Sequence, residues 1–237
     1  MRIHRRGFLL FLLAMPLGVW ISPVAEAKPT RYGEILCQEK GYRCQEVLEG
    51  DKWASLWSDE AQRDLVKRVN RMNVRLRPGM TLAVPEELEK KDTLDLAPFP
   101  AQIEATGERE IRVDLDRLAW AAYDAEGRLL KWGPAAGGKD YCPDTGEACR
   151  TRTGEYRIER MGGAGCKSKK FPIPNGGAPM PYCMFYSDGY ALHGSYEVPG
   201  YNASHGCVRL FPEDAKWLRQ EFVESGTLVK VLPYGEG

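Results

Sequence analysis

The sequence predicts a mainly β protein with one helix in its larger domain, preceded by a small domain of the order strand, helix, helix, strand. In residues 103–234, short runs of alternating apolar and polar residues are separated by Gly- and Pro-rich stretches. In residues 35–85, two helical patterns stand between two short β-type runs. The 43% hydrophobic content can build cores for both domains, and the balance of 33 basic and 33 acidic residues argues against a nucleic-acid partner.

The first 27 residues have the pattern of a secretory signal peptide. Three arginines precede an apolar run over residues 8–21, and Ala25-Glu26-Ala27 follows as a small-x-small cleavage site. We therefore expect cleavage before Lys28 and export to the periplasm or cell wall. An uncleaved membrane anchor is the alternative, although the run is short for a span, and Arg5-Arg6 also resembles a twin-arginine signal.

Seven cysteines in an exported chain indicate disulfides with one thiol left over. Sequence alone does not choose among the connectivities, but sequential pairing closes a short loop each time. We predict the pairs Cys37–Cys44, Cys142–Cys149 and Cys166–Cys183. The unpaired residue is then Cys207, and an idle free thiol is a liability in an oxidising compartment, so a function is expected for it.

The small domain is predicted from local periodicity. A strand covers residues 42–48, and a short amphipathic helix begins at Trp53. Ser58-Asp59 can cap a second helix, and a turn at 77–79 leads into a strand at 81–84.

The residues of this domain resemble the LysM carbohydrate-binding module. The matching pieces are Glu49-Gly50-Asp51, the segment 69–73 and the segment 76–85, whereas Lys52-Trp53 departs from the usual Thr-Leu. The resemblance implies binding of glycans that contain N-acetylglucosamine, such as peptidoglycan. The alternative is a small helical domain that only packs on its neighbour, and Trp53 and Trp57 fit either a sugar-stacking or a core position.

Residues 86–102 are predicted to be a linker, because charges of both signs are followed by two prolines. The large domain follows from residue 103, and Asp188-Gly189 is a strong hairpin turn within it. Its predicted elements are strands at 111–115, 118–123, 128–132, 155–160, 190–193, 208–210 and 227–232, and a helix that begins at Pro212. Long loops at 133–152 and 161–181 separate them and are typical of functional segments.

Chemistry is concentrated in one stretch of this domain, which holds His193, His205 and Cys207. A thiolate attacks carbonyl carbon, and an imidazole is the group suited to take up its proton near neutral pH. Gly206 permits a tight turn whose N–H groups can stabilise an oxyanion. The pattern favours acyl transfer through a thioester, with two alternatives: a zinc site formed by the three residues, or buried groups with a structural role only.

The segment Ser204-His205-Gly206-Cys207-Val208-Arg209, preceded by His193-Gly194, resembles the signature of the L,D-transpeptidase catalytic domain, the YkuD family. Supporting similarity lies in residues 111–115, in Met180-Pro181-Tyr182 and in residues 151–156, where Arg152 replaces the usual proline. The resemblance implies a β-sandwich with one helix that acts on peptidoglycan stem tetrapeptides without cofactor or metal.

The resemblance also implies a role for each motif residue. Cys207 would be the nucleophile and His193 its general base, oriented by the carbonyl of Gly194. His205, Gly206 and Cys207 would stabilise the oxyanion and place the substrate. Arg209 would contact a substrate carboxylate, although a surface pair with Glu213 is the alternative. Ser204 would brace the turn, and Tyr182 would form a wall of the acyl pocket.

The implied reaction expels D-Ala from the donor stem and passes the acyl group to an amine. The acceptor is the amine of another stem, giving a 3→3 cross-link, or the lysine of an outer-membrane lipoprotein. Two alternatives stay open at this point. The same scaffold can act as a hydrolase with water as acceptor, or the chain can be a non-catalytic protein that binds the cell wall.

Overall fold

The computed structural model describes residues 29–235. The predicted signal peptide lies outside them. Across residues 29–235, no helix combines the length and the apolar character that a membrane crossing requires.

The N-terminal part contains two strands around two helices, in the predicted order. Its elements are α1 (Tyr32–Leu36), β1 (Tyr42–Glu46), α2 (Trp53–Leu56), α3 (Glu60–Val69) and β2 (Thr81–Pro85). Strands β1 and β2 pair antiparallel. Helix α1 was not predicted, whereas the cap of α3 was, since the Asp59 side chain accepts from the Gln62 N–H at 2.8 Å.

Both tryptophans of this part pack into its core. Trp57 is buried, and Trp53 lies against the same cluster, donating its Nε1–H to the Val74 carbonyl at 2.8 Å. Their arrangement therefore favours the packing interpretation over sugar stacking.

Residues 86–102, predicted to be a linker, connect the two parts of the protein and are themselves packed against it. The segment forms two short 3₁₀ turns, Leu88–Lys90 and Leu94–Leu96, and it buries Leu88 and Phe99. The Pro100 carbonyl accepts a hydrogen bond from the buried Tyr123 at 2.8 Å. Apolar side chains between the charges hold the segment against the protein, which the mixed charge pattern did not indicate.

A buried ion pair fixes the N-terminal part on the large domain. Arg68 of α3 donates to both carboxylate oxygens of the fully buried Asp214, at 2.8 and 3.0 Å. Nearby, Arg71 donates to the Arg117 carbonyl at 3.0 Å and lies between the rings of Tyr32 and Trp132. These contacts make the two parts one packed body.

The large domain is built on a nine-stranded sheet. Its strands are β3 (Glu110–Asp114), β4 (Ala119–Tyr123), β5 (Leu129–Ala136), β6 (Gly154–Arg157), β7 (Arg160–Met161), β8 (Met184–Ser187), β9 (Tyr190–Gly194), β10 (Val208–Leu210) and β11 (Leu228–Val231). Their order in the sheet is β6-β11-β3-β4-β5-β10-β9-β8-β7. The predicted strand at 128–132 extends four residues further, and the predicted strand at 155–160 is divided between β6 and β7.

The fold is mainly β with few helices, as predicted, and the strands of the expected β-sandwich form one continuous sheet that curls around the main core. Side chains from both halves share one cluster, in which Ile111 and Val229 meet Met184 and Leu210. The curl brings β6 towards β8. Helix α4 (Pro212–Trp217) and the π-helical turn Leu218–Phe222 close the core through Ala215 and Phe222.

Candidate active site

Strands β9 and β10 place the predicted reactive residues beside each other. The strands run parallel, with Arg209 opposite His193 and Val208 opposite Leu192. Because alternate residues of a strand share a face, Cys207, Arg209 and His193 lie on the same face of this pair. All three line a cavity of about 310 Å³, together with residues of the long loop 161–181 and of the segment 194–205.

His193 is held as a single tautomer. It is only 6% exposed, and its Nδ1 lies 2.9 Å from the Gly194 carbonyl oxygen. A carbonyl can only accept, so Nδ1 carries the proton and Nε2 keeps its lone pair. Burial lowers the pKa of His193 from 6.5 to about 4; the Gly194 hydrogen bond opposes the shift and the charge of Arg209 adds to it. The imidazole is therefore a neutral base near pH 7.

The backbone at Gly194 explains why a glycine follows the histidine. The Gly194 N–H donates to the Pro181 carbonyl at 2.8 Å, and a Cβ there would lie 3.1 Å from the Pro212 Cα. Any side chain would press on backbone atoms, so the residue suits this crossing of loop and strand.

Within residues 29–235, Cys207 is the free cysteine, and the other six form the three predicted disulfides. Its thiol is partly exposed and donates to the Gly189 carbonyl at 3.7 Å. Burial raises the pKa of Cys207 above 9.0, although a hydrogen bond from the Ala191 backbone and the charge of Arg209 act in the opposite direction. Cys207 and His193 are thus both neutral at rest, a thiol and an imidazole that line the same cavity.

Buried hydroxyl groups fix the turn before Cys207. Ser204 donates to the Cys207 carbonyl and accepts from the Gly206 N–H at 2.9 Å. Thr151 donates to the Gly206 carbonyl at 2.8 Å and accepts from the Gly138 N–H at 2.9 Å. Gly206 has a φ of 117°, in the region that favours glycine, and its N–H is already engaged by Ser204.

His205 contacts a carboxylate, whereas His193 contacts a backbone carbonyl. Its Nε2 lies 2.8 and 3.0 Å from the two carboxylate oxygens of Asp144. Its ring stacks on Phe171 with 4.3 Å between centroids.

Arg209 pairs within the cavity wall. Its Nη1 donates to the Glu197 carbonyl at 3.1 Å and lies 3.8 Å from the Glu197 carboxylate. The partner is therefore Glu197, and the surface pair with Glu213 is not formed.

The cavity wall at residues 195–197 is fastened to the N-terminal part by Asn73. The Asn73 amide donates to the Ser195 carbonyl at 2.8 Å and accepts from the Val198 N–H at 3.0 Å. The Asn73 N–H also donates to the Val198 carbonyl at 3.0 Å. One wall of the cavity thus depends on a residue outside the large domain.

Tyr182, predicted to form a wall of the acyl pocket, lies towards the core, and several neighbours of the site were not identified from the sequence. Tyr182 packs against the main core with a φ of 58°, and Met180 and Pro181 line the cavity in its place. Asp144, Phe171 and Asn73 were missed. For Asp144 a signal existed, since it lies inside a tight loop between two cysteines expected to pair.

The zinc alternative does not match the arrangement of side chains. Within residues 29–235, the group of three metal-ligating side chains whose ligand atoms lie within 4.8 Å of one another is Cys142, Asp144 and His205. Cys142 is bonded to Cys149 and has no thiolate to offer. His193 and Cys207 do not belong to this group.

Comparison with known proteins adds independent information. Residues 108–231 match the YkuD family model, described as the L,D-transpeptidase catalytic domain. The fold is similar to that of an L,D-transpeptidase from Xylanimonas cellulosilytica, at 22% identity over 89% of this chain and 100% of that chain, with a TM-score of 0.52. Two more L,D-transpeptidase structures match. The one from Stackebrandtia nassauensis is 24% identical over 58% of this chain and 61% of that chain, with a TM-score of 0.45. The one from Mycobacterium smegmatis is 21% identical over 66% of this chain and 75% of that chain, with a TM-score of 0.44. Comparison with curated proteins gives no match.

Proposed function

Because the chain belongs to the YkuD family of L,D-transpeptidase catalytic domains, we propose that it is a peptidoglycan L,D-transpeptidase acting through a thioester on Cys207. One observation carries the proposal. The free thiol of Cys207 shares a cavity with a buried, neutral His193 whose Nε2 lone pair is available. These are the nucleophile and base that thioester chemistry needs.

The donor is a stem tetrapeptide. As Cys207 Sγ attacks the carbonyl carbon of its third residue, the thiol proton passes to His193 Nε2. The tetrahedral intermediate collapses with cleavage of the amide, and the imidazolium returns the proton to the departing D-Ala amine. An acceptor amine then attacks the thioester, loses its proton to His193 and releases Cys207 as a thiol.

A base mechanism fits the ionisation of the two residues. A pre-formed thiolate–imidazolium pair requires a low thiol pKa and a high imidazole pKa, and the pKa values of Cys207 and His193 are shifted in the opposite directions. We therefore propose that proton transfer accompanies attack.

The oxyanion donors are assigned to the turn that carries the nucleophile. Since the Gly206 N–H is donated to Ser204, Gly206 shapes the turn, and the backbone N–H groups of His205 and Cys207 are the proposed donors. Arg209 lines the same cavity, and its guanidinium is proposed to bind a substrate carboxylate.

The N-terminal part is proposed to bind glycan in the manner of a LysM module, in a chain exported to the periplasm or cell wall. Its strand and helix order and its resemblance to that module support the proposal. Full-length protein should pellet with purified peptidoglycan sacculi. Protein that stays in the supernatant would contradict glycan binding and would leave the catalytic proposal unaffected.

The catalytic proposal is tested with a stem tetrapeptide, with and without an acceptor amine, and mass analysis of the products. We expect D-Ala release and a cross-linked product that both vanish in Cys207→Ala. A tripeptide product in the presence of excess acceptor supports the hydrolase alternative, and a lysine-containing acceptor peptide tests lipoprotein attachment. No turnover and no adduct on Cys207 supports a non-catalytic wall-binding protein.

A further inference from the structure

Two disulfide-closed loops meet at the His205 ring. The Cys142–Cys149 loop contains Asp144, whose two oxygens lie 2.8 and 3.0 Å from His205 Nε2. The Cys166–Cys183 loop contains Phe171, which stacks on the same ring at an interplanar angle of 27°. One loop fixes the edge of the imidazole and the other fixes its face, so the ring has little freedom to rotate.

The contact with Asp144 decides which ring nitrogen carries a proton. An ionised carboxylate only accepts hydrogen bonds, so Nε2 of His205 must be the donor. Asp144 stays ionised: burial, the largest single influence, pulls its pKa up, but the hydrogen bond and charge of His205, together with Lys139, bring the pKa below 3.8. Nε2 of His205 therefore carries a proton, whereas Nε2 of His193 keeps its lone pair.

His205 is joined directly to the reacting centre. It lines the cavity with Cys207 and is followed by the turn whose Gly206 is held by Ser204 and Thr151. Asp144 is therefore linked to the turn that carries Cys207 through its hydrogen bonds to the His205 side chain.

We propose that Asp144 is a positioning residue for acyl transfer: it holds the His205 imidazole in one orientation with Nε2–H as the donor, and so sets the cavity wall beside Cys207. The proposal rests on the transpeptidase function proposed above. The disulfide Cys142–Cys149 serves this purpose by closing a short loop around Asp144, whose side chain is 46% exposed and would otherwise be mobile.

The test compares Asp144→Ala and Asp144→Asn with Asp140→Ala. Asp140 is the matched control, because it precedes the same loop, is 81% exposed and pairs with Arg150 rather than with His205. The rate of Cys207 acylation by a carbapenem or a tetrapeptide donor should fall about tenfold or more in Asp144→Ala, the effect of losing a hydrogen bond to a charged group. It should fall less in Asp144→Asn, which keeps an acceptor oxygen, and stay within about twofold of wild type in Asp140→Ala.

A second measurement needs no turnover. Nitrogen-15 NMR of the resting protein should show His205 protonated at Nε2, with changed ring-nitrogen signals in Asp144→Ala and unchanged ones in Asp140→Ala. The proposal is overturned if His205 has the same signals in Asp144→Ala as in wild type, or if Asp144→Ala acylates at the wild-type rate. Wild-type protein that is not acylated at all contradicts the proposed function instead, and the NMR comparison still decides the role of Asp144.

Discussion

The ionisation of His193 makes a quantitative prediction about stability. Burial lowers its pKa from 6.5 to about 4. The unfolded chain takes up a proton near pH 6.5, whereas the folded protein resists protonation until about pH 4. Above pH 6.5 the burial of neutral His193 therefore does not lower the free energy of unfolding. That free energy falls as the pH drops from 6.5 towards 4.

The size of the loss follows from the shift. Each pKa unit corresponds to about 1.4 kcal/mol, so the full shift is worth about 3 kcal/mol, most of which is already lost at about pH 4.5. For a chain of this length that loss lowers the melting temperature by about 5–10 °C.

The assay is urea denaturation of wild type and His193→Gln near pH 7 and near pH 4.5. Other groups titrate in this range in both proteins, so the informative quantity is the extra loss in wild type. We expect about 2–3 kcal/mol more loss in wild type than in His193→Gln. Equal losses, or a His193 NMR signal that titrates near 6.5, would refute the reasoning and with it the neutral-base mechanism.

Three other predictions concern the surroundings of the site. Asp214→Ala should lower the free energy of unfolding by about 3 kcal/mol or more, because it leaves Arg68 buried without its buried carboxylate partner. Arg68 also contacts the partly exposed Asp64 at 2.6 Å, and Asp64→Ala should cost under about 1 kcal/mol. Chemical denaturation that gives equal costs for the two variants would contradict this. Asn73→Ala should raise KM for the donor and speed amide hydrogen exchange in residues 195–198, and unchanged exchange there would show that the wall does not depend on Asn73. Alkylation of Cys207 by iodoacetamide should keep accelerating above pH 9.0, and a plateau near neutral pH would reveal a thiolate that the structure does not favour.

Local signals in the sequence predicted most of the elements that carry the site. Asp188 and Gly189 have φ values of 39° and 90°, as a tight hairpin turn requires, and this hairpin delivers His193 to the end of β9. Sequential pairing of the cysteines was correct, because each pair closes a loop short enough to be brought together by local geometry. These features depend on neighbours in the chain, which a sequence displays directly.

Features that depend on distant partners were not predictable. Arg68 and Asp214 are 146 positions apart, and His205 and Asp144 are 61 apart. The curl of the sheet and the packing of residues 86–102 depend in the same way on surfaces that meet only in the folded protein. Sequence patterns predict that charged residues are exposed to solvent. The spacing of these residues does not indicate which of them are buried in the folded protein.

The central claim is that Cys207 carries the acyl group. Intact-protein mass spectrometry after brief incubation with a stem tetrapeptide and acid quenching tests it most directly. We predict a mass increase equal to the acyl part of the donor without D-Ala, located on the peptide that contains Cys207 and absent from Cys207→Ala. No adduct on wild type, or an adduct that persists in Cys207→Ala, would contradict the claim.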